Sequence, residues 1–372
     1  MVKRPLYEFH LKNKAEFKTY GDCECEMVSK YHEFEKEYWA IRNDIALMDV
    51  SGVTKVRIAS EGATDYLDYI CTGNILSLSE GKSIYTAICG DNGTIIALVH
   101  VLKDVDDYLL FTDPEKRRTL LDWLNGHKQD RVEIKDISEE FSCISINGPK
   151  AIEIPKIVIS EDILGLPYLG FERYKIDDID CILYRCGLSG EYEYKFLLPP
   201  DKTLRVWEKI IEVGKDFNLL CCGLDSLEIP MLEMRSVNQQ KDLLPDTTLL
   251  QAGLHWMVNF RKERFIGKDA IFKEKQAKPI QKLTMFTSES ERIQRNNKLY
   301  IEEENVGFVI HSGYSPKLKR TIGCAYIKRE YAYSGIDFEI EVQPNIREIL
   351  HTASTPLFLT KTVTGIKEEE TK

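Results

Sequence analysis

The most promising reactive side chain in this sequence is a histidine on an alternating strand. His100 lies on a strand predicted over 94–102, and Asp91-Asn92-Gly93 just before that strand is a strong hairpin signal, because Asn-Gly supplies positive φ cheaply. An imidazole there could give or take a proton near neutral pH. Residues two apart on a strand share a face, so His100 projects beside Leu98. The plainer reading is a partly buried strand histidine with a local hydrogen bond. Arg185 and Glu191 serve either as an ion pair bracing a turn or as ligand contacts. Asp113, between a strand and Pro114, is either a helix cap or a ligand contact.

Other arrangements carry less. Cys23-Glu24-Cys25-Glu26 has two cysteines one residue apart and no second pair, which is poor zinc spacing. Cys221-Cys222 suits a buried strand end better than a redox pair. The seven histidines show no His-x-x-x-His spacing. There is no Gly-x-Ser-x-Gly elbow and no phosphate-cradling loop ending in Lys-Ser/Thr. No metal is expected.

With 372 residues the chain can bury a large core and divides into two or three domains. Hydrophobic residues at 43% and charged residues at 30% argue against a disordered or fibrous chain. A net charge of −10 argues against nucleic acid as the main partner, since phosphate binding needs a concentrated basic surface. No apolar run follows Met1-Val2-Lys3-Arg4-Pro5, and none reaches the length of a membrane span. The ten cysteines are therefore expected to be reduced, in a cytoplasmic protein with no membrane contact.

The elements that must position these residues follow from periodicity. Phe34, Tyr38, Ile41 and Ile45 are spaced three and four apart and predict a helix over 30–46. Strands are expected at 53–58, 83–89, 94–102 and 108–112, with helices at 61–70 and, opened by Pro114, up to 124. A second cycle follows, with strands at 141–146, 172–176, 181–186 and 194–198 and helices from 150 and over 202–214. Strand, Gly-containing turn, helix and meander recur in the same order, which hints at a duplicated α+β unit. Late strands are expected at 308–311, 323–327, 335–342 and 357–363, and 367–372 reads as a solvated tail.

Taken in order, short motifs resemble the glycine-cleavage T-protein (aminomethyltransferase) family. They include Tyr38-Trp39-Ala40-Ile41-Arg42, Met48-Asp49-Val50-Ser51, Gly81-Lys82-Ser83-Ile84-Tyr85-Thr86 and Asn147-Gly148-Pro149-Lys150-Ala151. Arg185-Cys186-Gly187-Leu188-Ser189-Gly190-Glu191, Cys222-Gly223-Leu224-Asp225-Ser226-Leu227-Glu228, Gly253-Leu254-His255-Trp256 and Ser312-Gly313-Tyr314-Ser315-Pro316 continue the series. The resemblance implies an α+β fold: a three-domain ring of two related α+β domains and a C-terminal β-barrel. The implied domains are 1–50 with 140–240, 51–139 with 241–277 (the folate-binding-like one), and 278–372. It also implies tetrahydrofolate as carbon acceptor in a central channel. Tyr85, Asp113, Arg185, Glu191, Glu193, Lys195 and Trp256 fall at or near channel positions, and the rings of Tyr85 and Trp256 either suit stacking on a pterin or belong to the core. The tRNA-modifying branch of the family is excluded, because its cysteine-containing motif is replaced by Arg264-Phe265-Ile266-Gly267-Lys268-Asp269.

The sequence also departs from the family. The hairpin acids, which polarise the accepting amine, are Ala97 and Leu98 here. The pterin-holding glutamate falls at Lys195, with Glu193 able to serve after a slip, and a folate-anchoring arginine is Leu224. An asparagine becomes Asp113 and a histidine becomes Gly52. His100 is the candidate to replace the missing acid. The expected activity is one-carbon (methyl or aminomethyl) transfer to tetrahydrofolate, from a small-molecule donor or a lipoyl carrier protein. Two alternatives stay open: a demethylase of sulfonium, ether or amine donors with an altered folate pose, and a non-catalytic folate- or partner-binding paralogue.

Overall fold

The structure, a computed structural model, describes residues 4–20 and 26–369, so Cys23, Glu24 and Cys25 lie outside the described residues. Two antiparallel-rich sheets and a closed barrel organise the chain. In the first sheet the spatial order is Lys82–Cys89, Ile95–Lys103, Asp107–Thr112, Thr54–Ala59, Glu133–Asp136. The second runs Phe171–Ile176, Ile179–Cys186, Glu193–Leu198, Ser142–Asn147, Ile45–Asp49, Leu219–Cys221. Each sheet therefore places its chain-order strands two, three, four, one and five side by side, and the second admits Ile45–Asp49 as an extra strand beside its first. The duplication suggested by the sequence is a duplication of topology.

Alternation along the strands decides which face goes where. On Ile95–Lys103, Ala97, Val99 and Val101 pack with Tyr66, Leu67, Ile70, Leu120 and Leu124 of the helices Ala63–Ile70 and Arg117–Gly126. The opposite face carries Leu98, His100 and Leu102; Leu102 joins Leu109 and Phe111 against Met48, Ile182, Tyr184 and Leu197 of the second sheet. That second sheet covers its own outer face with Ile154, Val206, Trp207 and Ile210. The two sheets thus face each other, each backed by helices.

Six strands, Gln281–Ser288, Arg320–Lys328, Glu304–Ser315, Lys298–Ile301, Asp337–Gln343 and Ile346–Thr352, close the barrel. It meets the second sheet's unit through Tyr38, Ile229 and Leu232, and the loop beside the first sheet through Leu283 N–H, which donates to the Gln251 carbonyl at 2.8 Å. A buried polar hub fixes this junction. The Arg42 guanidinium reaches Glu233 Oε2 at 2.6 Å and the Ser189 carbonyl at 2.6 Å, while Tyr38 (2.7 Å) and the barrel's Ser315 (2.5 Å) donate to Glu233 Oε1.

Two expectations about elements need correction. The helix read over 30–46 is Phe34–Asn43. Lys30 ends a strand paired with Glu16–Thr19, and Ile45–Asp49 is claimed by strand partners on both sides. Residues 357–363 are no strand: Lys361–Glu369 is a helix, reaching into the expected tail. Its start is capped by Glu191, whose carboxylate accepts from the Thr362 N–H at 2.9 Å and hydroxyl at 2.6 Å. Alternating Thr and Val residues favour a strand locally, but this buried carboxylate supplies what a helix start requires. Among the described residues all eight cysteines are free thiols, and no helix is long and apolar enough to cross a membrane.

Candidate active site

The hairpin forms as its residues dictate: Gly93 adopts φ +81°, and Asn92 Oδ1 accepts from the Thr94 N–H at 3.2 Å. Of the next two residues that matter, Ala97 points into the helix-backed core and Leu98 to the inner face, 1% exposed. Pairing with Asp107–Thr112 runs from Lys103↔Tyr108 to His100↔Phe111. Continued by two residues, that register sets Asp113 directly opposite Leu98. Gln239 stands in for the missing rungs. Its Oε1 accepts from the Leu98 N–H at 2.6 Å, and its Nε2 donates to Asp113 Oδ2 at 2.7 Å. Thr112 Oγ1 adds a bond to the Leu98 carbonyl at 2.7 Å.

Asp113 occupies the position before the turn Pro114–Lys116, but its side chain caps nothing. It lines a pocket instead, together with Glu193 and Lys195. Burial raises the Asp113 pKa above the ordinary 3.8, against the opposing pull of the Gln239 amide and Lys195. Glu193 and Lys195, two apart on one strand, share a face and form an ion pair at 2.6 Å. Ser145 Oγ donates to Glu193 at 2.9 Å, and Lys195 Nζ lies 3.3 Å from Cys186 Sγ. Burial alone would pull Lys195 down, but the neighbouring Cys186 and Glu193 push it well above its ordinary range. Met27, Val50, Val53, Leu188, Leu224 and Met231 supply an apolar wall. Met27 fills the space over Gly52, where an added Cβ would fall 2.0 Å from its sulfur.

The remaining candidates divide. His100 does share the inner face with Leu98, but its ring stacks on Tyr85 (centroids 4.3 Å, 16°) and its Nδ1 shares a hydrogen bond with the Tyr184 hydroxyl at 2.7 Å. Burial, with Lys195 nearby, pushes its pKa down to about 3. The expected imidazole titrating near neutral pH is therefore corrected to a neutral ring, locked between two tyrosines. Tyr85 feels Asp113: burial first and that carboxylate second raise its hydroxyl above the ordinary range. Trp256 is 60% exposed with its ring 6.2 Å from that of Tyr85.

Arg185 and Glu191 do not pair with each other. Arg185 donates to the Leu166 carbonyl at 2.8 Å and lies over the Tyr192 ring, while Glu191 caps the C-terminal helix beside Arg42. Both brace the fold. Sequence reasoning missed Gln239, which sits in a loop without pattern, and Met27, whose role depends on what faces it.

Asp242, His311 and Cys324 bring metal-type atoms together. However, both His311 nitrogens are held by carboxylates, Asp242 at 2.6 Å and Glu228 at 2.7 Å. Despite burial, these two raise its pKa to about 9, so at neutral pH the ring is an imidazolium without a lone pair for a cation.

A cavity with hydrocarbon walls and a carboxylate–ammonium strip along one strand suits a flat ligand with polar edges. Comparisons narrow this class. Residues 6–262 match the GCVT N-terminal domain, and residues 281–358 match the glycine cleavage T-protein C-terminal barrel domain. The chain belongs to the glycine cleavage T-protein family. It is 30% identical to an aminomethyltransferase of Caldanaerobacter subterraneus subsp. tengcongensis over 347 residues, 92% of each chain. An aminomethyltransferase of Halothermothrix orenii is also 30% identical, over 92% of this chain and 96% of the relative. The crystal structure of glycine cleavage system aminomethyltransferase T from Bartonella henselae shares the fold, with TM-score 0.85 at 20% identity over 96% of this chain and 98% of that one.

Proposed function

We propose that this protein is a tetrahydrofolate-dependent one-carbon transferase, with aminomethyl transfer as its reaction. The observation that carries the reading is the meeting of Asp113, Glu193 and Lys195 on the wall of one largely apolar cavity, in a chain of this family. These residues fit a reduced pterin. A pterin edge offers N–H donors to the Glu193 carboxylate and a carbonyl acceptor to Lys195, and its faces are apolar. Bound there, tetrahydrofolate would supply a nucleophilic amine to accept the carbon. The protein's part is to orient that amine, exclude water with Met27, Leu188 and Leu224, and manage a proton at Asp113.

The proposed division is 1–50 with 140–240, 51–139 with 241–277, and 278–372; sheet and barrel membership supports it for the parts that carry strands. A lipoyl carrier protein is the proposed source of an aminomethyl group. One observation favours a second reading, demethylation of a sulfonium, ether or amine. The hydrocarbon wall of Met27 and Leu224 suits a methyl donor as well as an aminomethyl one. Product analysis separates the two: 5,10-methylene-tetrahydrofolate with release of ammonia marks aminomethyl transfer, and 5-methyl-tetrahydrofolate marks demethylation. Absence of either product from a folate-bound protein would leave a binding protein.

A further inference from the structure

The carboxylates around the cavity are not equivalent. Glu193 is paired with Lys195, Asp225 with Lys18 at 2.7 Å, and Glu228 with His311 and Lys241. Each is ion-paired with a neighbouring cation. Asp113 is bonded instead to a neutral amide, Gln239 Nε2, which is itself fixed by the backbone N–H of Leu98. Burial in the wall outweighs the opposing pull of Gln239, Lys195 and Lys116, so the Asp113 carboxyl is shifted upward and the neutral form is the easier one to reach. Asp113 lies one residue past the end of the strand Asp107–Thr112. The strand register, continued two residues past His100↔Phe111, sets it across from Leu98, and the Thr54 hydroxyl donates to its carbonyl at 3.4 Å.

We propose that Asp113 is the proton-transfer residue of this site, taking the hydrogen of the accepting amine as the carbon arrives and passing it to the atom that leaves the donor. The assignment rests on the transferase reading above. The amine N–H bond breaks and its proton moves to Asp113 as the new N–C bond forms. The donor's C–S bond breaks with its electron pair on sulfur, and Asp113 then protonates that sulfur. Amine and thioether become substituted amine and thiol, with no change of oxidation state. Gln239 is the positioning residue, because it sets the carboxylate against the strand that faces it.

Asp113→Asn keeps the shape and the bond from Gln239, so the fold and the binding of tetrahydrofolate should persist. Turnover should fall by about 10²–10⁴-fold, the usual range for a lost acid–base group. Two further readouts separate chemistry from packing. The acidic limb of the wild-type pH–rate profile should disappear in Asp113→Asn. Adding Leu98→Asp to that variant, so that a carboxylate is offered from the opposing strand, should recover part of the rate. In the ligand-free protein, infrared difference spectra of wild type against Asp113→Asn should show a carboxyl band that protonates, as pH is lowered, before ordinary aspartates do. Unchanged turnover in Asp113→Asn, or absence of that band, would overturn the assignment. Failure of the wild type to bind tetrahydrofolate would instead overturn the transferase reading on which the proton step depends.

Discussion

At the scale of residues, the site is governed by which charges have partners. Lys195 and Glu193 hold each other at 2.6 Å on one strand face, so removing one leaves the other uncompensated in a buried wall. Lys195→Met is expected to weaken tetrahydrofolate binding by about tenfold or more, as the loss of a charged hydrogen-bond donor implies, measured by calorimetry. The same logic fixes His100. Held down to about pH 3 by burial and Lys195, its ring should show no titration between about pH 5 and 8, where a free histidine changes charge. Nitrogen-15 spectra of the imidazole test this directly; a midpoint in that range would contradict the packing described. The shared face of Leu98 and His100 was legible in the sequence, because strand alternation is local. The loss of imidazole basicity was not, because it arises from Tyr85, Tyr184 and Lys195, which come from other strands. Asp113 was visible as a candidate. Its position opposite Leu98 needed the register.

Elements tie these residues together through a few polar clamps. His311 on the barrel strand Glu304–Ser315 bridges Glu228 at the start of the helix Glu228–Met234 and Asp242 in the following loop, with Lys241 and Cys324 alongside. Its pKa is raised from 6.5 to about 9, so this clamp stabilises fully below the unfolded value and fades as pH rises through about 9. Glu228, shifted against its burial by His311 and Lys241 from 4.5 to about 2, contributes above 4.5 and loses its contribution as pH falls through about 2. Thermal stability should therefore decline from about pH 7 to 9, and His311→Gln should flatten that alkaline limb at a cost of about 3 kcal/mol. A decline unaltered in His311→Gln would rule out this source. At the other end of the chain, Glu191→Ala should uncap the helix Lys361–Glu369 at a cost of about 1–2 kcal/mol, read as faster proteolysis beyond Pro356. Helices and strands with strong periodicity were legible. The boundaries that failed, at 30, 45 and 357–363, are those where a partner strand or a distant cap overrides local preference.

For the whole molecule, the sheets, the barrel and the hub of Arg42, Glu233, Tyr38 and Ser315 make the cavity a product of assembly. Arg42→Ala should lower the unfolding free energy by about 3–5 kcal/mol, since it strands Glu233 in the interior; urea unfolding checks it. The duplicated topology was hinted at by the repeated order of elements, whereas the extra strand Ile45–Asp49 was hidden inside a helical pattern. What fills the cavity decides the function. Calorimetric titration of tetrahydrofolate into the wild type and Glu193→Gln is the most direct test. The prediction is one saturable site in the wild type, weakened at least about tenfold by Glu193→Gln, as expected for a lost charged acceptor. No saturable binding, or equal affinity in both proteins, would contradict it.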